Sequence, residues 1–313
     1  MFRINKTKIG SIVEYQLFNG TTGEYGSIIP SQGALVRELS LAHDGVLHQI
    51  LDGPQSDTEI LNNLSWKGAK LIPYQGRIPG GKYLFHQTEY QLQENTHPSW
   101  IHGFIHNKPF RVLHLAATQQ KASFILSYLH AGDTPGYPFK FEVQVEYTLT
   151  AKEFLCKTII SNKDQIPLPI GDGWHPYFTF GAGIDTLTLE LPAHSHLELN
   201  EEKIPTGRIL SFPKGQAKWR LEGKDLDSVI VLPVKSGISK TKLMNESNGR
   251  SITLWQDTGT GKYNYVAVYT PKHRQSIAVE PWSSAPNALN NGMGLVVLKP
   301  ERTFHARYGV TLE

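Results

Sequence analysis

Four short segments place hydrogen-bonding side chains beside glycine, proline and aromatic residues: Pro73–Gly81, Trp100–Phe104, Gly173–Phe178 and Val279–Trp282. Between them they carry Glu280, His102, His175 and Arg77. Glutamate and histidine are residue types that move protons in general acid–base catalysis. An arginine fork holds oxygen-rich ligands. Trp100, Trp174, Tyr177, Phe178 and Trp282 flank these groups. A pyranose has apolar C–H faces and a rim of hydroxyls, so aromatic walls with a few fixed polar groups suit it. Glu280 is the most informative of the set. In Ser276-Ile-Ala-Val-Glu280, alternation puts Ile277 and Val279 on one strand face and Ser276, Ala278 and Glu280 on the other. The carboxylate therefore sits beside small side chains at the end of an apolar strand, where desolvation would raise its pKa toward that of a general base. The competing readings are a strand-end glutamate in water, histidines that only bond their own loops, and a solvated arginine.

Two histidine patterns raise the question of a metal. His194-Ser-His196 followed by Glu201 resembles the metal-binding half of a cupin, and histidines two apart on a strand share a face. The glycines expected to flank that motif are replaced by Thr188 and Arg208, and no second histidine-bearing half follows. His97, His102 and His106 have helical spacing, but Pro98 and Gly103 oppose a helix there. No phosphate-binding or dinucleotide-binding glycine fingerprint is present either. The expectation is an activity with no metal and no cofactor.

The elements that must position these residues read as β-strands. In Phe141–Leu149 every odd position is apolar or aromatic and every even one polar, which makes a strand with one dry and one wet face. Thr186–Leu191 repeats the pattern in shorter form. Ala34–Leu41, Ser251–Gln256, Tyr265–Thr270, Ser276–Glu280 and Gly294–Leu298 are further strand-like runs. The 28 glycines and 19 prolines fall mostly between them, as turn residues should. Helical periodicity is scarce, with Asp57–Leu64 the best short candidate. No repeat period or low-complexity linker appears. The expectation is an all-β chain, a large sandwich or barrel, forming one domain over residues 1–313.

At 313 residues with 39% hydrophobic content the chain can bury a sizeable core, and 19% charged residues is ordinary for a globular protein. A formal charge of +3 gives no reason to expect nucleic acid or an anionic membrane as partner. Cys156 is the single cysteine, so no intrachain disulfide forms. No apolar run approaches membrane-spanning length, and Met1–Leu17, with Arg3, Lys6 and Lys8, lacks a leader's continuous apolar stretch. The expected location is cytoplasmic; a cysteine-poor secreted chain that had lost its leader would read the same way.

Taken in order, the segments resemble the aldose 1-epimerase (galactose mutarotase-like) superfamily. The resemblance is carried by Arg77-Ile78, His102-Gly103, Tyr137-Pro138-Phe139, a strand ending Tyr147-Thr-Leu149, and His175-Pro-Tyr-Phe178. It continues through Asp227–Ile230, Tyr269-Thr270, Glu280, Pro286-Asn-Ala288 and Leu298-Lys-Pro300. It implies an antiparallel β-supersandwich that interconverts the anomers of a hexose such as galactose or glucose. It also implies Glu280 as general base and His175, as imidazolium, as general acid. Arg77, His102 and Asp227 would bind the sugar, with Trp174 and Trp282 as aromatic walls; Asp225 competes for the place of Asp227. Gly76 replaces the common Asn, Phe104 follows Gly103 where many relatives have a second glycine, and Asn287 and Glu301 also depart from the pattern. These changes bear on sugar preference. Two further functions fit the resemblance: a hexose-phosphate mutarotase, which needs a cationic cluster near C6, and a carbohydrate-binding protein without turnover.

Overall fold

Alternating sequence becomes antiparallel sheet throughout a computed structural model that describes residues 1–93, 100–193, 195–213 and 217–313. Strands account for 51% of the chain and helix for 5%, which establishes the all-β class. Every strand pairing among the described residues is antiparallel.

A nine-stranded sheet forms the back of the molecule, with Phe141–Thr150, Phe154–Asn162 and Thr303–Leu312 near its middle. The alternation read in Phe141–Leu149 appears there directly: Phe141, Val143, Val145, Tyr147 and Leu149 are fully buried. A five-stranded meander runs from Phe2 to Gln49. A six-stranded sheet contains Tyr177–Phe178, Ile277–Trp282, Tyr265–Tyr269 and Asp227–Val231, in that spatial order. The main core joins residues of all three sheets, from Phe2 through Ile28 and Tyr147 to Ile277 and Val310.

Within the six-stranded sheet, Ile277–Trp282 and most of Tyr265–Tyr269 are buried on both faces. Val266, Val268, Ile277 and Val279 point into the main core, whereas Val229, Ala267 and Trp282 belong to a second cluster on the other side. Loop residues Trp66, Ala69, Leu71 and Ile101 cover that second face. Between cover and sheet lies the cavity described below.

The short helix spans Asp57–Leu61, three residues less than the periodicity predicted. Ser56 caps it by accepting the Glu59 N–H at 3.2 Å. Asn63 then diverts the chain, its side chain accepting the Lys67 N–H and donating to the Lys67 carbonyl, both at 2.9 Å. A side chain that satisfies backbone groups locally competes with helix continuation.

Candidate active site

Strand register brings the proton-transfer candidates together. Tyr177 pairs with Ala278 and Gly173 bridges Trp282, so the same antiparallel register sets His175 opposite Glu280. Their side chains meet at 3.4 Å, His175 Nε2 to Glu280 Oε1, with both nearly dry. Pairing on the far side of Ile277–Trp282 extends this row: Glu280 faces Ala267, and Ala267 faces Val229. The next row on the same face reads Tyr177, Ala278, Tyr269, Asp227. Small side chains beside Glu280 leave room for a ligand against the carboxylate. A cavity of about 300 Å³ occupies this space, the low end of the range for small-molecule sites.

Arg77 and His102 reach the cavity from the cover. Arg77 bridges Ile101, His102 N–H donates to the Gly76 carbonyl at 3.1 Å, and Gly76 N–H donates to His102 Nδ1 at 3.3 Å. That last bond leaves Nε2 as the protonated nitrogen of a neutral ring. His102 has φ +65°, an uncommon conformation for a non-glycine residue, and Gly103 follows at +70°. A Cβ at Gly103 would lie 2.0 Å from the Ile72 carbonyl oxygen, so the turn that presents His102 requires glycine. The Arg77 guanidinium makes no ion pair among the described residues and faces the cavity with its donors available.

Burial shapes the chemistry of the pair. Desolvation raises the Glu280 carboxyl well above its usual range, opposed by the Trp282 indole N–H, which donates to Oε2 at 3.0 Å, and reinforced by the Asp227 charge. Desolvation pushes His175 down to about 3. The imidazolium expected from the sequence is therefore not the resting form: in a dry site the pair is more stable with its proton on the carboxyl and both groups neutral. Tyr177 stacks on the His175 ring at 4.9 Å and 12°, fixing its plane. His102 meets His175 edge-on at 5.3 Å.

The remaining expectations divide. Trp282 lines the cavity, and its N–H holds Glu280. Asp227 lines it too, 3.2 Å from Lys203 Nζ, while Asp225 turns to solvent near Arg274. Trp174 is a correction. Alternation along 173–177 sends its side chain to the face opposite His175, where it is fully buried, stacks on Tyr308 at 5.0 Å and donates to the Gly68 carbonyl. It packs behind the site and does not line the cavity.

Trp66, Lys67, Lys203 and His273 also line the cavity, and none was singled out from sequence. A tryptophan inside the polar run Asn62–Gly68 was the one available signal. Lys203 comes from a tight turn at φ +65° whose approach to Asp227 no local pattern encodes. Of the histidines weighed for a metal, His97 and His194 lie outside the described residues. His196 stacks on Phe212 at 4.7 Å, and His106 packs against Trp66 at 6.3 Å. No helix among the described residues is long and apolar enough to cross a membrane.

Comparison with known proteins agrees with this fold. The family model described as aldose 1-epimerase matches residues 16–311. An uncharacterised Escherichia coli protein, YihR, is 30% identical over 302 residues, covering 92% of this chain and 91% of that protein. The same fold occurs in a galactose mutarotase-like protein from Clostridium acetobutylicum, with TM-score 0.85, 19% identity and coverage of 100% and 98%. It occurs again in a galactose 1-epimerase from Lactobacillus acidophilus, with TM-score 0.81, 15% identity and coverage of 100% and 98%.

Proposed function

Because the chain belongs to the aldose 1-epimerase family, we propose that it is a mutarotase interconverting the α and β anomers of a free aldohexose without a cofactor. The observation that carries this reading is the Glu280–His175 pair, 3.4 Å apart and buried in a cavity sized for a single sugar ring.

Ring opening removes the proton from O1 and delivers one to the ring oxygen O5. Both oxygens are bonded to C1, so base and acid must converge on one small region, each within about 2.6–3.2 Å of its own oxygen. Two side chains in direct contact meet that requirement. Glu280 takes the O1 proton, His175 gives a proton to O5, and the aldehyde carbon turns before the same groups close the ring with their roles exchanged. The pair starts the step as carboxylate and imidazolium and ends it as carboxylic acid and imidazole. From the neutral resting pair, opening first needs the proton to cross from Glu280 to His175 over their 3.4 Å contact, and burial makes that charged form costly to reach and readily discharged onto the sugar. Closure regenerates carboxylate and imidazolium, so the pair ends each turnover as it began the opening step. Arg77, His102 and Asp227 hold hydroxyl groups and set the ring against Trp282.

A phosphorylated sugar is the weaker alternative. Lys67 and Lys203 both reach the cavity, but Asp52 stands 2.8 Å from the first and Asp227 3.2 Å from the second, so Arg77, already assigned to the sugar's hydroxyls, is the lining cation left without a carboxylate partner among the described residues. The test is polarimetry on freshly dissolved α-D-glucose and α-D-galactose. Catalytic amounts of protein should hasten the decay of optical rotation, and decay at the buffer rate for both sugars would overturn the reading.

A further inference from the structure

Behind the cavity lies a second polar cluster that no ligand reaches. Lys70 and Asp172 are both fully buried, with Lys70 Nζ 2.6 Å from Asp172 Oδ1. The contact is an ion pair rather than an aligned hydrogen bond. Lys70 donates instead to Thr158 Oγ1 at 3.0 Å and sits over the Tyr308 ring, 5.1 Å from its centre. The Tyr263 hydroxyl donates to the other Asp172 oxygen at 2.5 Å.

The backbones of these residues connect the stretches that carry the site. Gly68 N–H donates to the His175 carbonyl at 2.8 Å, His175 N–H to the Ala69 carbonyl at 3.0 Å, and Leu71 N–H to the Gly173 carbonyl at 2.9 Å. The stretch around Lys70 is thus zipped against the one that ends in His175. Asp172 N–H donates to Ser283 Oγ at 2.9 Å, and Ser283 N–H returns the bond to the Asp172 carbonyl at 2.9 Å. Ser283 directly follows Trp282 and lies three residues after Glu280. The ion pair therefore lies where three hydrogen-bonded stretches meet: Trp66–Leu71, Asp172–His175 and Glu280–Ser283.

We propose that Lys70, Asp172 and Tyr263 are positioning residues that set the reach between His175 and Glu280; this rests on the reading of those two as the proton-transfer pair. Stability alone does not account for the cluster, because a buried ion pair can usually be replaced by apolar residues of like size at no loss of stability. What apolar packing lacks is a fixed length and direction. A charge contact anchored at both ends by backbone pairing supplies both, and a misplacement of about 1 Å at a reacting pair costs about 10²-fold in rate.

The experiment compares Lys70→Met/Asp172→Leu, which removes both charges, with Tyr263→Phe, which removes only the hydroxyl. Each is measured for melting temperature, kcat, KM and the ring ¹⁵N–¹H resonances of His175, assigned with His175→Asn. Positioning predicts a folded double variant melting at or above the wild type, with kcat down about 10–100-fold, KM nearly unchanged, and shifted His175 resonances. Tyr263→Phe should show the same pattern more weakly, and it carries the test if the double variant does not fold. Folded variants with wild-type kcat and unmoved His175 resonances would overturn the proposal. If the wild type itself fails to hasten mutarotation, the functional reading falls, and the His175 resonances still decide whether the cluster positions that ring.

Discussion

Glu280 and His175 are two weak acids placed where neither wants its charge, and their behaviour should be that of one unit. Glu280→Gln keeps shape and burial but cannot accept a proton, so kcat should fall by about 10²–10⁴-fold. The same substitution should not destabilise the fold. The carboxyl is raised in the folded state, so stability is fully present below its unfolded value and is lost as pH climbs toward the folded one. Glutamine removes that loss, and melting curves of the two proteins should diverge as pH rises from 5 to 8, with the variant the more stable. A wild type that melts higher at pH 8 would show that Glu280 is not buried as described. The pH dependence of kcat/KM should be bell-shaped, since activity requires a single proton on the pair. Its acid limb should lie well below the ordinary histidine value, because burial pushes His175 to about 3, and its basic limb well above the ordinary carboxylate value. Both limbs belong to the pair rather than to either residue. Trp282→Phe deletes the N–H that holds Glu280 down, so it should move the basic limb to higher pH. Activity should also survive exhaustive dialysis against EDTA; loss of turnover regained with zinc or manganese would reopen the metal reading.

At the scale of elements, the site is a consequence of strand register. A slip by one residue between Tyr177–Phe178 and Ile277–Trp282 would send Glu280 into the main core and Val279 into the cavity, so the apolar pattern locks the pairing. Ala267 occupies the place across from Glu280 on the neighbouring strand, where a larger side chain would fill the sugar's space. Ala267→Leu should lower kcat/KM by about tenfold or more, chiefly by raising KM, while the melting temperature changes little. An unchanged KM would mean that the sugar does not lie against that row. The Lys70 stretch meets the His175 segment through an isolated antiparallel bridge between Lys70 and Trp174.

For the whole molecule, the sheets share one hydrophobic core that runs from Phe2 to Val310. Residues 1–313 should therefore unfold in a single cooperative transition, with calorimetric and van't Hoff enthalpies in agreement. Two resolved transitions would divide the chain into separate domains. The sequence by itself determined the β class, because period-two alternation in Phe141–Leu149 admits no other regular structure that buries one face. It also marked Glu280, His175, His102 and Arg77, because those residue types sat among glycine, proline and aromatics at strand ends. Local pattern could not say which flanking tryptophan faces the ligand. Trp174 and Trp282 read alike in sequence, yet one is turned to the core and the other to the cavity by the parity of their own strands. Nor could it choose between Asp225 and Asp227, or find Lys203 and the Lys70–Asp172 pair, whose partners are distant in the chain. The protonation of the pair was likewise decided only by tertiary structure. A carboxyl and an imidazole far apart in sequence carry ordinary pKa values until folding removes their water and sets them 3.4 Å apart.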